Sequence, residues 1–199
     1  MYYNLGIDID GVLTDEGTAE NNIWQRKMNE YFSKDIKLGK YTYNLAEAYG
    51  LSEAELNDFL KDKLFEVYQQ VNSAPGAKET LSKLAEQGHR LILITARNEK
   101  FRDLTENWLE EHQIPYHELH HQYNKAPLVL QKNISLFVDD KKENAINIAA
   151  ENIPVILVSK YHNSDFKGNQ IITKVDNWEQ IKENIDLFLS KNTPTSKLS

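Results

Sequence analysis

The chain's 199 residues suffice for one domain, or for one domain with a modest insertion, and for a sizeable buried core. A formal net charge of -7 with no basic stripe argues against a nucleic-acid polymer as partner, and 0 cysteines exclude disulfides, zinc–thiolate sites and a thiol nucleophile. No basic N-terminal region leads into a long apolar stretch, and no apolar run approaches the roughly 20 residues that span a bilayer, so a soluble, cytoplasmic protein with no membrane partner is expected.

The first apolar run, Leu5 to Ile9, reads as a buried strand and leads into Asp8-Ile9-Asp10-Gly11-Val12-Leu13-Thr14. From Glu16 to Ala74 no convincing strand follows. Ile23, Trp24, Met28, Tyr31 and Phe32 fall near helical spacing. Ser52-Glu53-Ala54-Glu55 has the form of a capping box, with Leu56, Phe59, Leu60, Leu64, Val67, Tyr68 and Val71 repeating behind it. This stretch is read as a helical subdomain inserted after the first strand, and Pro75-Gly76 punctuates the return. A helix is expected over Ala77–Gln87, stopped by Gly88, and a strand over Leu91–Ile94, followed by Thr95-Ala96-Arg97. Phe101–His112 reads as a helix. Leu136–Val138 reads as a strand ending in Asp139-Asp140, Lys142–Ala150 as a helix and Pro154–Val158 as a strand. A last helix is capped by Asp176 and buries Trp178, Ile181, Ile185 and Phe188. Beyond Lys191 the sequence is polar, and residues 192–199 are expected to be a disordered tail. Strands alternating with helices imply an α/β fold with a parallel sheet covered on both faces.

The chemistry lies where these strands stop. Ligands of an open parallel α/β sheet bind outside the carboxyl ends of its strands. The residues at three such ends can therefore share one crevice, and Lys125 starts the helical pattern before Leu136 on the same side. The inventory suits phosphoryl transfer. A carboxylate can form an acyl phosphate, and of Asp8 and Asp10 one can attack while the other moves a proton. Magnesium, a hard cation, takes the oxygen ligands that clustered carboxylates supply. Thr95 and Lys125 can hold the phosphoryl oxygens.

The ordered set Asp8-x-Asp10-Gly11-Val12-x-Thr14, Thr95, Lys125 and Asp139-Asp140 resembles the four motifs of the haloacid dehalogenase superfamily. More closely, Leu5 to Gly11, Ile114-Pro115-Tyr116, His120-His121, Lys125 and Phe137 to Asp140 resemble the bacterial nucleotidases related to the 5'(3')-deoxyribonucleotidases. The resemblance implies a Rossmann-like core over residues 1–15 and 75–191 and a small helical cap over 16–74. It makes Asp8 the nucleophile and a metal ligand. Asp10 becomes the general acid and base and gives its backbone carbonyl to Mg2+. Asp140 becomes a direct ligand, with Asp139 in the outer shell. Thr95 and Lys125 hold the phosphoryl group; Arg97 has no general role in the superfamily, and its place next to Thr95 in the sequence suggests a substrate or phosphate contact. The implied substrate is small and phosphorylated, a (deoxy)nucleoside monophosphate.

Several residues have plainer readings beside these. Trp24, Tyr41 and Tyr43 read mostly as cap core, with one or two set to stack on a nucleobase. His117, His120 and His121 read as an exposed loop on the substrate side rather than a metal site, and Lys132 is the fallback for Lys125. A phosphatase of sugar phosphates would use the same catalytic set. A phospho-accepting receiver domain is disfavoured because Lys125 precedes the last acidic pair and because a receiver has no use for the insert. The intact acids argue against a non-catalytic binding module. A lid should close over such a site, with hinges at Asp15–Thr18 and Ser73–Gly76.

Overall fold

The computed structural model describes residues 2–192. Its centre is a six-stranded, all-parallel sheet of β1 (Asn4–Ile7), β4 (Arg90–Thr95), β5 (Glu118–His121), β6 (Ile134–Asp139), β7 (Val155–Val158) and β8 (Ile172–Val175). They lie in the order β5-β4-β1-β6-β7-β8. The chain fills one side of β1 first and then crosses to the other, so the crevice between β1 and β6 is the topological switch point of the sheet.

The interior strands are apolar on both faces because both faces are covered. Leu5, Ile7, Leu91, Leu93, Leu136 and Val138 point into one core, shared with α4 (Ala77–Glu86), α5 (Arg102–Glu111) and α8 (Trp178–Asn192). Ile92, Ile94, Phe137, Val155 and Leu157 point into the other, against α6 (Ala126–Gln131) and α7 (Lys142–Ala149). Gly6 is required on β1 because a Cβ there would lie 2.2 Å from the Phe137 ring. Among the described residues no helix is long and apolar enough to cross a membrane.

The stretch after β1 folds as α1 (Ile23–Phe32), α2 (Leu45–Tyr49) and α3 (Glu53–Gln70). The Ser52 capping box forms: its hydroxyl accepts from the Glu55 N–H at 3.2 Å, and Glu55 accepts from the Ser52 N–H at 2.9 Å. Contrary to the expectation of no strand from Glu16 to Ala74, Asn72–Ser73 forms a strand, β3, which pairs antiparallel with β2 (Thr14–Asp15) and closes the base of the insert. Two indoles brace that base. Trp178 donates to the Val12 carbonyl at 2.9 Å, and Trp108 donates to the Val71 carbonyl at 2.8 Å.

Three further expectations need correction. His120 and His121 do not form an exposed loop, whereas His117 is exposed in the bend just before β5. His120 and His121 run along β5, which has a single buried apolar residue, Leu119, and so gives no strand signal. The last helix is capped by Asn177, whose side chain accepts from the Gln180 N–H at 3.0 Å, and not by Asp176. Asn192 belongs to that helix, and the rest of the expected tail lies outside the described residues.

Trp108 is 2% exposed. Trp108→Ala is expected to lower unfolding free energy by about 3–5 kcal/mol, through a cavity and an unpaired carbonyl. Denaturant titration checks this, and a loss under about 1 kcal/mol would show that the brace matters little.

Candidate active site

Asp8 leaves the end of β1, and the chain then turns sharply. The N–H groups of Leu13 and Thr14 both donate to the Ile9 carbonyl, at 2.8 and 3.0 Å, and the Thr14 hydroxyl accepts from the Gly11 N–H at 2.8 Å. Gly11 has φ 72°, and a Cβ there would lie 2.3 Å from Asp140 Oδ2. Gly11→Ala should therefore displace Asp140 and cut turnover by at least about tenfold, a larger loss than its backbone strain of ~1–2 kcal/mol in stability implies. Steady-state kinetics beside a melting curve separate the two effects. Turnover near the wild-type rate would refute the close packing of turn and acid.

Lys125, at the start of α6, is buried between two acids. Its Nζ lies 2.5 Å from Asp8 Oδ2 and 2.8 Å from Asp139 Oδ2. Asp139 also accepts from the Lys141 N–H at 2.8 Å and from the Asn144 amide at 3.2 Å. Asp140 Oδ2 meets His162 Nε2 at 3.1 Å, while Asn163 donates to the Asp140 carbonyl at 2.7 Å. Arg97 closes on Asp10 through two nitrogens, at 2.9 and 2.6 Å, and its guanidinium lies 4.0 Å from the centre of the Tyr68 ring of α3. The buried Thr95 hydroxyl accepts from the Arg97 N–H at 3.1 Å.

Burial raises the Asp8 carboxyl well above the carboxylate range, and Asp139 and Asp140 add to the effect against the pull of Lys125. Burial also raises Asp139. Carboxylate oxygens of Asp8, Asp139 and Asp140 lie within 4.8 Å of one another. Three buried acids face one lysine, because Arg97 is occupied by Asp10. That surplus of negative charge, made only of hard oxygen donors, fits a divalent cation.

A cavity of about 290 Å³ opens over Asp8, Asp10 and Asp140. Leu60, Leu64 and Tyr68 of α3, with Trp24 of α1, give it an apolar wall. Of the three aromatics expected in the insert, Trp24 and Tyr43 line the cavity. Tyr41 lies away from it, 61% exposed, with its ring 6.2 Å from that of Tyr161. Thr95 and Lys125 lie buried beneath the cavity rather than along its wall. Lys132 is bound to Glu118 at 2.5 Å, far from any role as a substitute for Lys125. His117 accepts from the Leu91 N–H at 3.0 Å, His120 meets Glu118 at 2.7 Å and His121 meets the Arg97 carbonyl at 3.1 Å.

Sequence reasoning missed Glu16, Tyr161 and His162, which complete the cavity. The two aromatic residues follow β7, and the same strand-end rule that singled out Thr95 and Asp139 would have found them. Glu16 stood beside the Asp8–Thr14 motif, without a signal of its own.

The model of the family described as 5' nucleotidase, deoxy (pyrimidine), cytosolic type C protein matches residues 3–192. A provisionally named nucleotidase of Halalkalibacterium halodurans is 31% identical over 192 residues, 94% of each chain. Another, of Bacillus subtilis, is 35% identical over 178 residues, 87% of this chain and 89% of that one. A haloacid dehalogenase superfamily hydrolase of subfamily IA from Geobacter sulfurreducens superposes with a TM-score of 0.59 at 17% identity, covering 94% and 96% of the two chains. This last likeness shows a shared fold.

Proposed function

Since the chain belongs to the family of cytosolic type C 5' nucleotidases and is a hydrolase of the phosphatase and nucleotidase class, we propose that it is a magnesium-dependent nucleotidase acting through Asp8. The observation that carries this reading is the buried Asp8–Lys125–Asp139 cluster beside Asp140, set under an aromatic-walled cavity at the switch point of the sheet.

Asp8 attacks phosphorus in line with the leaving oxygen, and an aspartyl phosphate forms as the phosphorus–oxygen ester bond breaks. Asp10 donates a proton to the departing alkoxide, then takes one from the water that attacks the acyl phosphate. Inorganic phosphate leaves and Asp8 is regenerated. Lys125 and the Thr95 hydroxyl hold the phosphoryl oxygens. Arg97, already committed to Asp10 and stacked on Tyr68, orients the Asp10 carboxylate; this supports a positioning role in place of the phosphate contact read from sequence. Asp8, the Asp10 carbonyl and Asp140 would hold Mg2+, with Asp139 in the outer shell tied to Lys125 and Asn144. When bound, the ion offsets the repulsion between the carboxylates and the phosphoryl oxygens.

Residues 1–15 and 75–191 act as the catalytic core, and 16–74 act as a cap. Trp24, Tyr43 and Tyr68 offer a nucleobase an aromatic surface that a sugar phosphate would leave unfilled, and this favours a nucleoside monophosphate. Cap closure is expected between crystal forms without and with a phosphate analogue, and an unchanged, already sealed site would count against it. Phosphate release from nucleoside monophosphates and sugar phosphates, with and without Mg2+, tests the substrate. Faster turnover of sugar phosphates would overturn the nucleotide assignment, and no turnover of any phosphomonoester would overturn the hydrolytic one.

A further inference from the structure

We propose that Glu16 is a specificity-determining residue that confines turnover to phosphomonoesters whose leaving group carries no second negative charge. The proposal rests on the hydrolytic reading of the Asp8 site and deepens it by naming the substrate class.

Glu16 directly follows β2, and its carbonyl accepts from the Ile23 N–H at 2.9 Å, which fixes it at the root of α1. It lines the same cavity as Asp8, Asp10 and Asp140, yet it stands outside the cluster of three carboxylates suited to a cation. The Trp24 indole lies beside its carboxyl, and the Lys160 ammonium pulls against the burial of its charge. Arg97, among the described residues the one lysine or arginine in the cavity's lining, is already paired with Asp10 through two nitrogens at 2.9 and 2.6 Å, and Leu60 and Leu64 of the same lining carry no charge. The Lys141 ammonium lies 4.0 Å from the centre of the Tyr43 ring. A leaving group seated in this cavity beside Glu16 therefore meets a strong hydrogen-bond acceptor and, with Asp10, Asp140 and Glu16 against the paired Arg97, an acidic field. Sugar hydroxyls can donate to that acceptor. A second phosphate or a carboxylate is repelled. Burial, reinforced by Asp140 and Asp10, pushes the Glu16 carboxyl up to about 7, so it carries its charge at pH 8.

The test compares kcat/KM for a nucleoside 5'-monophosphate and the 3',5'-bisphosphate of the same nucleoside, at pH 8 with saturating Mg2+. The wild-type protein is expected to favour the monophosphate at least roughly tenfold. Glu16→Gln should shrink that ratio roughly fivefold or more, chiefly through a lower KM for the bisphosphate, while Glu16→Asp keeps it. Equal use of both substrates by the wild-type protein overturns the proposal without any variant. So does a ratio untouched by Glu16→Gln, or an effect of that variant confined to the Mg2+ concentration required, which would make Glu16 a metal ligand. If the wild-type protein turns over no phosphomonoester, the hydrolytic reading itself has failed, a different result from lost selectivity.

Discussion

Asp8→Asn should lower kcat by at least about 10³-fold on every phosphomonoester tested, the scale seen when a nucleophile is removed from a site otherwise intact. Asparagine keeps the shape of the side chain, and its amide oxygen can still accept from the Ile9 N–H, now 2.7 Å from Asp8 Oδ1. Lys125 keeps Asp139, 2.8 Å away. The variant also removes a carboxylate that burial and two neighbouring acids disfavour. Folding should therefore survive, with a melting temperature close to or above that of the wild-type protein, and substrate should still bind. Kinetics and thermal unfolding on the same preparation check both halves. A fall in activity matched by a collapse in stability would mean that Asp8 is structural, and wild-type-like turnover would remove it from the mechanism.

Removal of divalent cations should abolish turnover, and restoring Mg2+ should return both activity and stability. An ion at 100 times its dissociation constant stabilises the native state by about 2.7 kcal/mol. The pH dependence has a definite sign. Burial raises the Asp8 and Asp139 carboxyls above their unfolded value near ~3.9. Between the unfolded and folded values the native state binds more protons than the unfolded chain does. Metal-free stability should therefore fall as pH rises through that window. Protons and Mg2+ compete for the same oxygens, so the gain in melting temperature from Mg2+ should be larger at pH 8 than at pH 5. Asp140→Asn should lose most of that gain. An equal gain in this variant, or none in the wild-type protein, would separate the acid cluster from the metal.

The core of the fold was legible because its interior strands are buried on both faces and so read as unbroken apolar runs at Leu5, Leu91, Leu136 and Val155. The outer strands were not legible in the same way. Glu118–His121 and Ile172–Val175 lie at the sheet margins and mix polar with apolar residues, and β2–β3 are too short to carry any pattern. The site followed a similar division. Asp8, Asp10, Thr95 and the Asp139–Asp140 pair announce themselves at strand ends, and Lys125 by its place in that order. What each side chain binds could not be read from the chain. Arg97 reaches Asp10 across 87 residues, and His162 reaches Asp140 across 22. Glu16 acquires its neighbours only once the insert folds back over the sheet.

The account stands most directly on whether the phosphoryl group passes through Asp8. Asp10→Asn should slow attack by water on the acyl phosphate while sparing its formation from p-nitrophenyl phosphate, whose leaving group needs no proton. The decisive measurement is an acid quench of this variant during turnover of that substrate, with the phosphoryl group labelled, followed by peptide mapping. The expected result is a burst of p-nitrophenol equal to the enzyme present, with hydroxylamine-labile label on the peptide that contains Asp8. The same burst with the label on another residue, or with no labelled peptide, would contradict it.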